Sequence, residues 1–211
     1  GKNMKKKVGL IDTGTSNIKS VFYALKLFDV EIVTIDTYTN EKIDLMVVPG
    51  IGSFKAVMKK LKEKNLDKFI IEKVNSNIPS LFICVGMQIL FTKSYEFGVT
   101  GGLNILNGEV IKIPSKFKEE KLNIPFIGWN KINYKKNCSV FKKKNKDDFF
   151  YFTHSFYVKP ENEQIVSSNA NYFNFTYCST VSFNNVYACQ FHPEKSGKAG
   201  LIIYENFIDL I

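Results

Sequence analysis

The sequence predicts an α/β fold in which a mostly parallel central sheet is flanked by helices and extended by antiparallel strands. In the first half of the chain, short apolar runs alternate with stretches of helical periodicity, which is typical of a parallel sheet covered on both faces. In the second half, short strand-like runs dominate. No repeat, low-complexity segment or linker separates the halves. We therefore expect one domain over residues 1–211, with the later strands joining the same sheet.

The first half contains four predicted strands and, before the segment of Cys84, three predicted helices. The predicted strands are 8–11, 31–35, 45–48 and 81–83. The first helix opens near Ser16, and its apolar face consists of Val21, Phe22, Leu25 and Phe28. The other two helices are 54–62 and 67–75. The turn 49–52, Pro-Gly-Ile-Gly, follows the third strand, and the fourth strand runs directly into Cys84.

The second half is predicted to be rich in strands and to end in a helix. The predicted strands are 109–113, 149–153, 155–158, 180–183 and 186–191. The final helix, 200–210, has apolar residues at helical spacing, namely Leu201, Tyr204, Phe207 and Ile208. In open α/β sheets the functional site lies at the carboxyl ends of the strands. Cys84, the turn 49–52 and His192 all follow predicted strands, so we expect them to meet at one edge.

The charge of the chain does not favour a nucleic-acid partner. The net charge is +9, but all 29 basic residues are lysine. Bidentate contacts to guanine and phosphate favour arginine. The densest basic cluster, at 142–144 and Lys146, is followed at once by Asp147 and Asp148, so we interpret it as a solvated loop.

The remaining composition favours a cytoplasmic protein without a metal. Apolar stretches fall far short of the roughly 20 residues that a membrane span requires. The lysine-rich start is not followed by an export signal, and we interpret Met4 as the natural first residue. The four cysteines, Cys84, Cys138, Cys178 and Cys189, show no paired spacing, which is typical of a reducing compartment. Structural zinc sites usually have ligands paired at short spacing, so we expect no metal and no cofactor.

Cys84 is the candidate nucleophile. It lies between a buried strand and a predicted helix, where an elbow projects the side chain outward and the helix N-terminus stabilises a thiolate. Gln88 lies one turn further on the same helix face. A buried structural cysteine is the alternative, and this segment alone does not decide between the two.

His192 and Glu194 favour a nucleophilic role for Cys84 over a structural one. A nucleophilic cysteine requires a base within hydrogen-bond reach and a third group that orients the base. His192 and Glu194 are two residues apart and therefore share one face of an extended segment, with Pro193 keeping that segment open. We predict that Glu194 orients the His192 ring.

The turn 49–52 is a candidate oxyanion hole. Its glycines, Gly50 and Gly52, permit backbone conformations that direct N–H groups toward a ligand. We expect the amides of Ile51 and Val85 to hold the charged oxygen of a tetrahedral intermediate. A plain turn between sheet and helix would have the same sequence.

Taken together, these segments resemble the class I glutamine amidotransferases, and within them the glutaminase subunit of imidazole glycerol phosphate synthase. The similar segments are 11–12 with Gly14 and Asn17, 49–54, 84–88, 128–130, 154–156 and 190–196. The resemblance narrows to this subunit through three strings, Gly-Met-Gln at 86–88, Gly-Trp-Asn at 128–130 and His-Pro-Glu-Lys-Ser at 192–196.

The resemblance implies a mechanism and a partner. Cys84 would form a thioester with the acyl group of glutamine, and water activated by His192 would then release glutamate. Gly50, Gly52, Gln88, and the backbone near Ser155 and Phe156 would hold glutamine. The ammonia would pass through a tunnel to a cyclase subunit, with which the chain would form a heterodimer in histidine biosynthesis.

The sequence departs from the family pattern mainly outside the catalytic residues. Phe82 stands two residues before the nucleophile, where glycine is usual. Other departures are Thr13, Thr15 and Ser16 in the first turn, Phe126 and Ile127 before Gly128, and Phe156 in place of tyrosine. The altered first turn keeps open a glutaminase that supplies a different synthase, for example one that amidinates a surface sugar.

Two further alternatives come from other classes of protein. Asp12-Thr13-Gly14 matches the signature of aspartic proteases, but those enzymes need a second carboxylate from a second copy of the motif or from a dimer mate. A non-catalytic scaffold subunit is the other alternative, and the intact Cys84, His192 and Glu194 argue against it.

Overall fold

The computed structural model describes residues 4–14, 18–142 and 148–211, and its centre is an eight-stranded sheet. The strands of this sheet are β1 (Lys6–Ile11), β2 (Val30–Ile35), β3 (Leu45–Gly50), β4 (Ser80–Cys84), β11 (Asn133–Tyr134), β14 (Val166–Tyr172), β15 (Phe175–Phe183) and β16 (Val186–Cys189). Their order in the sheet is β11-β14-β15-β16-β4-β3-β1-β2. The five strands from β2 to β16 are parallel, and β15, β14 and β11 continue the sheet in antiparallel pairing. The predicted fold class is thereby confirmed.

In the described residues, eight further strands form smaller sheets beside the main one. These strands are β5 (Lys93–Ser94), β6 (Thr100–Gly101), β7 (Gly108–Lys112), β8 (Lys116–Phe117), β9 (Glu120–Lys121), β10 (Phe126–Asn130), β12 (Phe150–His154) and β13 (Phe156–Pro160). A four-stranded sheet has the order β13-β7-β5-β6, while β10 pairs with β12 and β8 with β9.

The helices cover the parallel part of the main sheet. They are α1 (Lys19–Leu25), α2 (Phe54–Glu63), α3 (Leu66–Asn75), α4 (Val85–Gln88) and α5 (Gly197–Ile208), with 3-10 turns at Glu163–Ile165 and Pro193–Lys195. The crossover from β1 to β2 runs in the opposite direction along the sheet from the crossover from β3 to β4. Because such crossovers are right-handed, α1 lies on one face and the pair α2 and α3 on the other. All residues of β3 and β4 are buried, as expected for strands covered on both faces.

The prediction that the later strands extend the main sheet was only partly right. β15 and β16 do join it, and they contain the predicted segments 180–183 and most of 186–191. The predicted strands 109–113, 149–153 and 155–158 correspond to β7, β12 and β13, which lie in the smaller sheets. The physical reason is pairing: β7 pairs along its length with β13, and β12 pairs with β10, so neither extends the central sheet.

Several element boundaries also differ from the prediction. β3 continues through Pro49 and Gly50, because both pair with β4, and the predicted turn therefore begins only at Ile51. The final helix begins at Gly197 rather than at Gly200. Thr15, Ser16 and Asn17, and residues 143–147 of the lysine-rich cluster, lie outside the described residues.

In residues 4–14, 18–142 and 148–211, no helix is long and apolar enough to span a membrane. Within the same ranges, no group of three or more His, Cys, Asp or Glu side chains is placed to bind a metal ion.

Candidate active site

Cys84 lies at an elbow between β4 and the short helix α4. Its backbone has φ 57° and ψ −113°, a left-handed conformation that directs the chain sharply from strand into helix. The side chain is 4% exposed. The predicted helix is present but only four residues long, so its dipole contributes little to the charge of the sulfur.

Two glycines bring the loop after β3 against this elbow. A Cβ atom at Gly86 would lie 2.2 Å from the carbonyl oxygen of Val48, and one at Gly50 would lie 2.8 Å from the amide nitrogen of Gly86. Only glycine permits this approach of two backbones. As a result Ile51 and Val85, the two predicted oxyanion donors, line the same cavity as Cys84.

His192 and Glu194 form a buried pair that a tight turn holds together. The Nδ1 atom of His192 lies 2.9 Å from Oε1 of Glu194, and each side chain is 4% exposed. The sequence predicted an extended segment, but Pro193–Lys195 form a 3-10 turn that bends the carboxylate back to the ring. The hydroxyl of Ser196 donates to the carbonyl of His192 at 2.6 Å and fixes the turn from the other side.

The charge of His192 depends on both of its neighbours. Burial is the largest single influence on the pKa of this ring and lowers it, since burial disfavours the cation. The charge of Cys84 and a hydrogen bond with it, followed by Glu194, outweigh burial and raise the pKa of His192 to about 10. Because Nδ1 faces Glu194, Nε2 is the ring nitrogen that remains for Cys84. The geometry therefore favours an imidazolium at His192, held between the sulfur of Cys84 and the carboxylate of Glu194.

An amide network that the sequence did not predict holds the sulfur from its other side. Gln190 is fully buried, and its Nε2 donates to Sγ of Cys84 at 3.7 Å. Gln88 donates through its own Nε2 to Oε1 of Gln190 at 3.2 Å and to the carbonyl of Phe156 at 3.1 Å. This network connects the nucleophile to the segment that contains Ser155 and Phe156.

These groups surround a cavity of about 240 Å³ at the carboxyl edge of the parallel strands. The predicted residues that line it are Ile51, Gly52, Cys84, Val85, Gln88, Ser155, Phe156 and His192. Gly50 lies outside the lining because its backbone packs on Gly86, and Glu194 lies behind His192. The lining residues that sequence reasoning did not select as site residues are Glu96, Pro125, Thr153 and His154.

Glu96 adds a carboxylate to the cavity wall. Its Oε1 accepts a hydrogen bond from the amide of Phe54, the first residue of α2, at 2.8 Å. This contact fixes the side chain between the β5–β6 segment and the helix. A fixed carboxylate in a cavity of this size is suited to bind a cationic group of a small ligand.

His154 is the second histidine at the cavity, and it is neutral. Burial lowers the pKa of its ring to about 4. The Nδ1 atom lies 2.8 Å from the carbonyl of Phe156 and therefore carries the proton that it donates. The Nε2 atom is buried and has no hydrogen-bond partner among the residues that the structure describes.

Comparisons with known proteins agree on one family. The model of the family "Glutamine amidotransferase class-I" matches residues 9–210. The imidazole glycerol phosphate synthase subunit HisH of Aquifex aeolicus is 42% identical over 200 residues, which cover 94% of each chain. The subunit of the same name from Pyrococcus furiosus is 39% identical over 201 residues, covering 95% of this chain and 97% of that protein.

Solved structures show the same fold at lower identity. The structure of PurLQS from Thermotoga maritima superposes with a TM-score of 0.75 at 17% identity, covering 98% of this chain and 99% of that one. A glutamine amidotransferase from Thermotoga maritima superposes with a TM-score of 0.65 at 15% identity, covering 98% of this chain and 85% of that one.

Proposed function

This chain belongs to the class I glutamine amidotransferases, and from that premise we propose that it is the glutaminase subunit of an imidazole glycerol phosphate synthase. The observation that carries the proposal is the convergence of Cys84 and the hydrogen-bonded pair His192 and Glu194 on one cavity. The relatives from Aquifex aeolicus and Pyrococcus furiosus carry the name of that subunit and match nearly their whole length. We also propose that residues 1–211 form one catalytic domain.

The chemistry proceeds in two steps at Cys84. The sulfur attacks the side-chain amide carbon of glutamine, and the His192 imidazolium gives its proton to the nitrogen as the carbon–nitrogen bond breaks. Ammonia leaves, and a thioester remains. His192, now neutral, takes a proton from water, which attacks the thioester and releases glutamate and the thiolate. Glu194 holds the ring in one orientation and stabilises its positive charge in both steps.

The cavity wall supplies the remaining functions. The amides of Ile51 and Val85 stabilise the oxyanion, and the loss of one such donor typically costs about a hundredfold or more in rate. Gly52, Gln88 and the segment of Ser155 and Phe156 hold the substrate. To these we add Glu96, whose carboxylate is the counter-charge for the α-ammonium group of glutamine.

The ribbon of β10 and β12 is the proposed docking surface for the cyclase subunit. The side chains of Ile127 and Trp129 on β10 are 61% and 56% exposed, and the Trp129 ring packs on Tyr151 of β12. Thr153 and His154, at the end of β12, line the cavity. An exposed apolar surface beside the cavity allows the partner to form a heterodimer and to receive ammonia through a tunnel without its release to solvent.

The alternatives have less support. A glutaminase for a different synthase would have the same cavity, but the named relatives are subunits of imidazole glycerol phosphate synthase. An aspartic protease would need the carboxylate of Asp12 to face a second one, whereas Oδ1 of Asp12 accepts the amide of Gly14 within its own turn at 2.9 Å. A cytoplasmic location is proposed because all four cysteines are unpaired.

The test is ammonia release from glutamine in the complex with the cyclase subunit and its nucleotide ligand. We expect Cys84→Ala to abolish release, and a thioester on Cys84 to be detectable in the wild type by mass spectrometry after acid quench. Cys138→Ala is the matched control, because Cys138 lies outside the cavity. Equal rates for the wild type and Cys84→Ala would overturn the proposal. An active glutaminase that yields no imidazole glycerol phosphate would favour a different synthase.

A further inference from the structure

The carboxylate of Glu194 has a second contact on the side away from His192. Its Oε1 pairs with the His192 ring, and its Oε2 accepts a hydrogen bond from the hydroxyl of Tyr204 at 3.3 Å. In the part of the chain that the structure describes, these are the two hydrogen bonds of this carboxylate. Both oxygens are thus held, each by a different element of the fold.

The packing of α5 explains how Tyr204 reaches this position. Gly200, in the first half of the helix, lies so close to the 3-10 turn that a Cβ atom there would be 1.7 Å from the carbonyl oxygen of Pro193. Residues four apart lie on the same face of a helix. The approach at Gly200 therefore directs the Tyr204 ring, which is fully buried, at the carboxylate of Glu194.

Burial and the charge of Glu194 keep the Tyr204 hydroxyl protonated, so that it donates a hydrogen bond. Burial, followed by the charge of Glu194, raises the pKa of the Tyr204 hydroxyl well above 10, so the hydroxyl keeps its proton. Burial, followed by the charge of Glu194, also raises the pKa of the Cys189 thiol on β16. The cation that faces Glu194 is His192, with Cys84 beyond it.

We propose that Tyr204 is a positioning residue for the reaction: its hydroxyl holds Oε2 of Glu194, so that Oε1 stays on the His192 ring. A glutamate side chain has several rotatable bonds, and a carboxylate held at one oxygen alone can turn away from the ring. Tyr204 fixes it from a rigid helix. This role rests on the function proposed above, and Tyr204 does not itself line the cavity or touch the substrate.

The test compares Tyr204→Phe with the wild type, alone and in a Glu194→Gln background. The variant removes one hydroxyl and keeps the ring that fills the core. In the complex with the cyclase subunit we expect kcat for glutamine to fall roughly three- to tenfold, as for one lost hydrogen bond, with KM unchanged. In the Glu194→Gln background we expect no further loss from Tyr204→Phe, because the hydroxyl acts through that carboxylate. Tyr187→Phe, at a half-buried tyrosine on β16 outside the cavity, is the matched control.

A second measurement separates this inference from the proposed function. The rate of alkylation of Cys84 by iodoacetamide, with Cys84→Ala as background, requires neither the partner nor glutamine. We expect Tyr204→Phe to slow alkylation and Tyr187→Phe to leave it unchanged. An unchanged kcat and alkylation rate in Tyr204→Phe, or a loss that persists undiminished in the Glu194→Gln background, would overturn the role of Tyr204. Loss of all ammonia release in the wild type would instead refute the proposed function.

Discussion

Replacement of Cys84 by alanine should lower the pKa of His192 toward neutrality. In the wild type, burial lowers this pKa and the interactions with Cys84 and Glu194 raise it to about 10. The alanine variant removes the contribution of the sulfur and leaves Glu194 alone against burial. Two opposite unit charges about 4 Å apart at an effective dielectric of about 20 attract by about 4 kcal/mol. The loss of this attraction would lower the pKa of His192 by about three. We therefore expect His192 to titrate near 7 in the variant.

The chain is well suited to this measurement because it contains only two histidines. Ring carbon–proton NMR signals followed from pH 4 to pH 11 would report each one, with His154→Asn assigning the spectrum. The wild type should show a charged His192 and a neutral His154 at pH 7, and Cys138→Ala should leave both unchanged. A His192 that is neutral at pH 7 in the wild type, or that still titrates near 10 in Cys84→Ala, would refute the ion-pair reasoning.

Three further predictions concern the cavity and its supports. Glu96→Gln should raise KM for glutamine by roughly ten- to a hundredfold with little change in kcat, as for the loss of one charged hydrogen bond in substrate binding; an unchanged KM would exclude the α-ammonium contact. Gly86→Ala should lower the free energy of unfolding by about 1–3 kcal/mol, since its Cβ would meet the carbonyl of Val48 at 2.2 Å. Gly101→Ala, with no neighbour within 4 Å, is the control in the same thermal melts. The pKa of His154 lies at about 4, below its ordinary 6.5, so the unfolded chain binds the proton first as pH falls from 6.5 to 4. In urea unfolding, the wild type should therefore lose about 3 kcal/mol more free energy of unfolding than His154→Asn between pH 6.5 and pH 4. Equal losses in the two proteins would contradict this prediction.

The parallel half of the fold could be predicted from the sequence because local sequence patterns specify each of its elements. β1 to β4 are short apolar runs followed by helices or turns, and the right-handed crossover rule then leaves few possible arrangements. The second half was harder, because its strands alternate between two sheets without a local signal. Whether an apolar run joins the central sheet or pairs with β7 or β10 is decided by side chains far away in the sequence.

The site residues that were predicted have partners nearby in the sequence, whereas those that were missed have partners far away in it. His192 and Glu194 are two residues apart, so the sequence predicts that they are neighbours, although it did not predict the 3-10 turn that brings them together. Glu96 reaches the amide of Phe54 across 42 positions, and Gln190 reaches Cys84 across 106. No periodicity or spacing in the sequence connects such partners. The catalytic and binding roles themselves stay predictions until the variants are measured.

The backbone of Cys84 has a consequence for how this protein can change over evolutionary time. Its φ of 57° is a conformation that glycine adopts freely and that costs other residues of the order of 1–3 kcal/mol. A glycine at this position would relieve that backbone cost, while it would also remove the attraction between the sulfur and His192. For the backbone alone, glycine is therefore the more stable residue at this elbow. The presence of Cys84 indicates that backbone strain is retained at this position because it places a thiol at the carboxyl edge of the sheet.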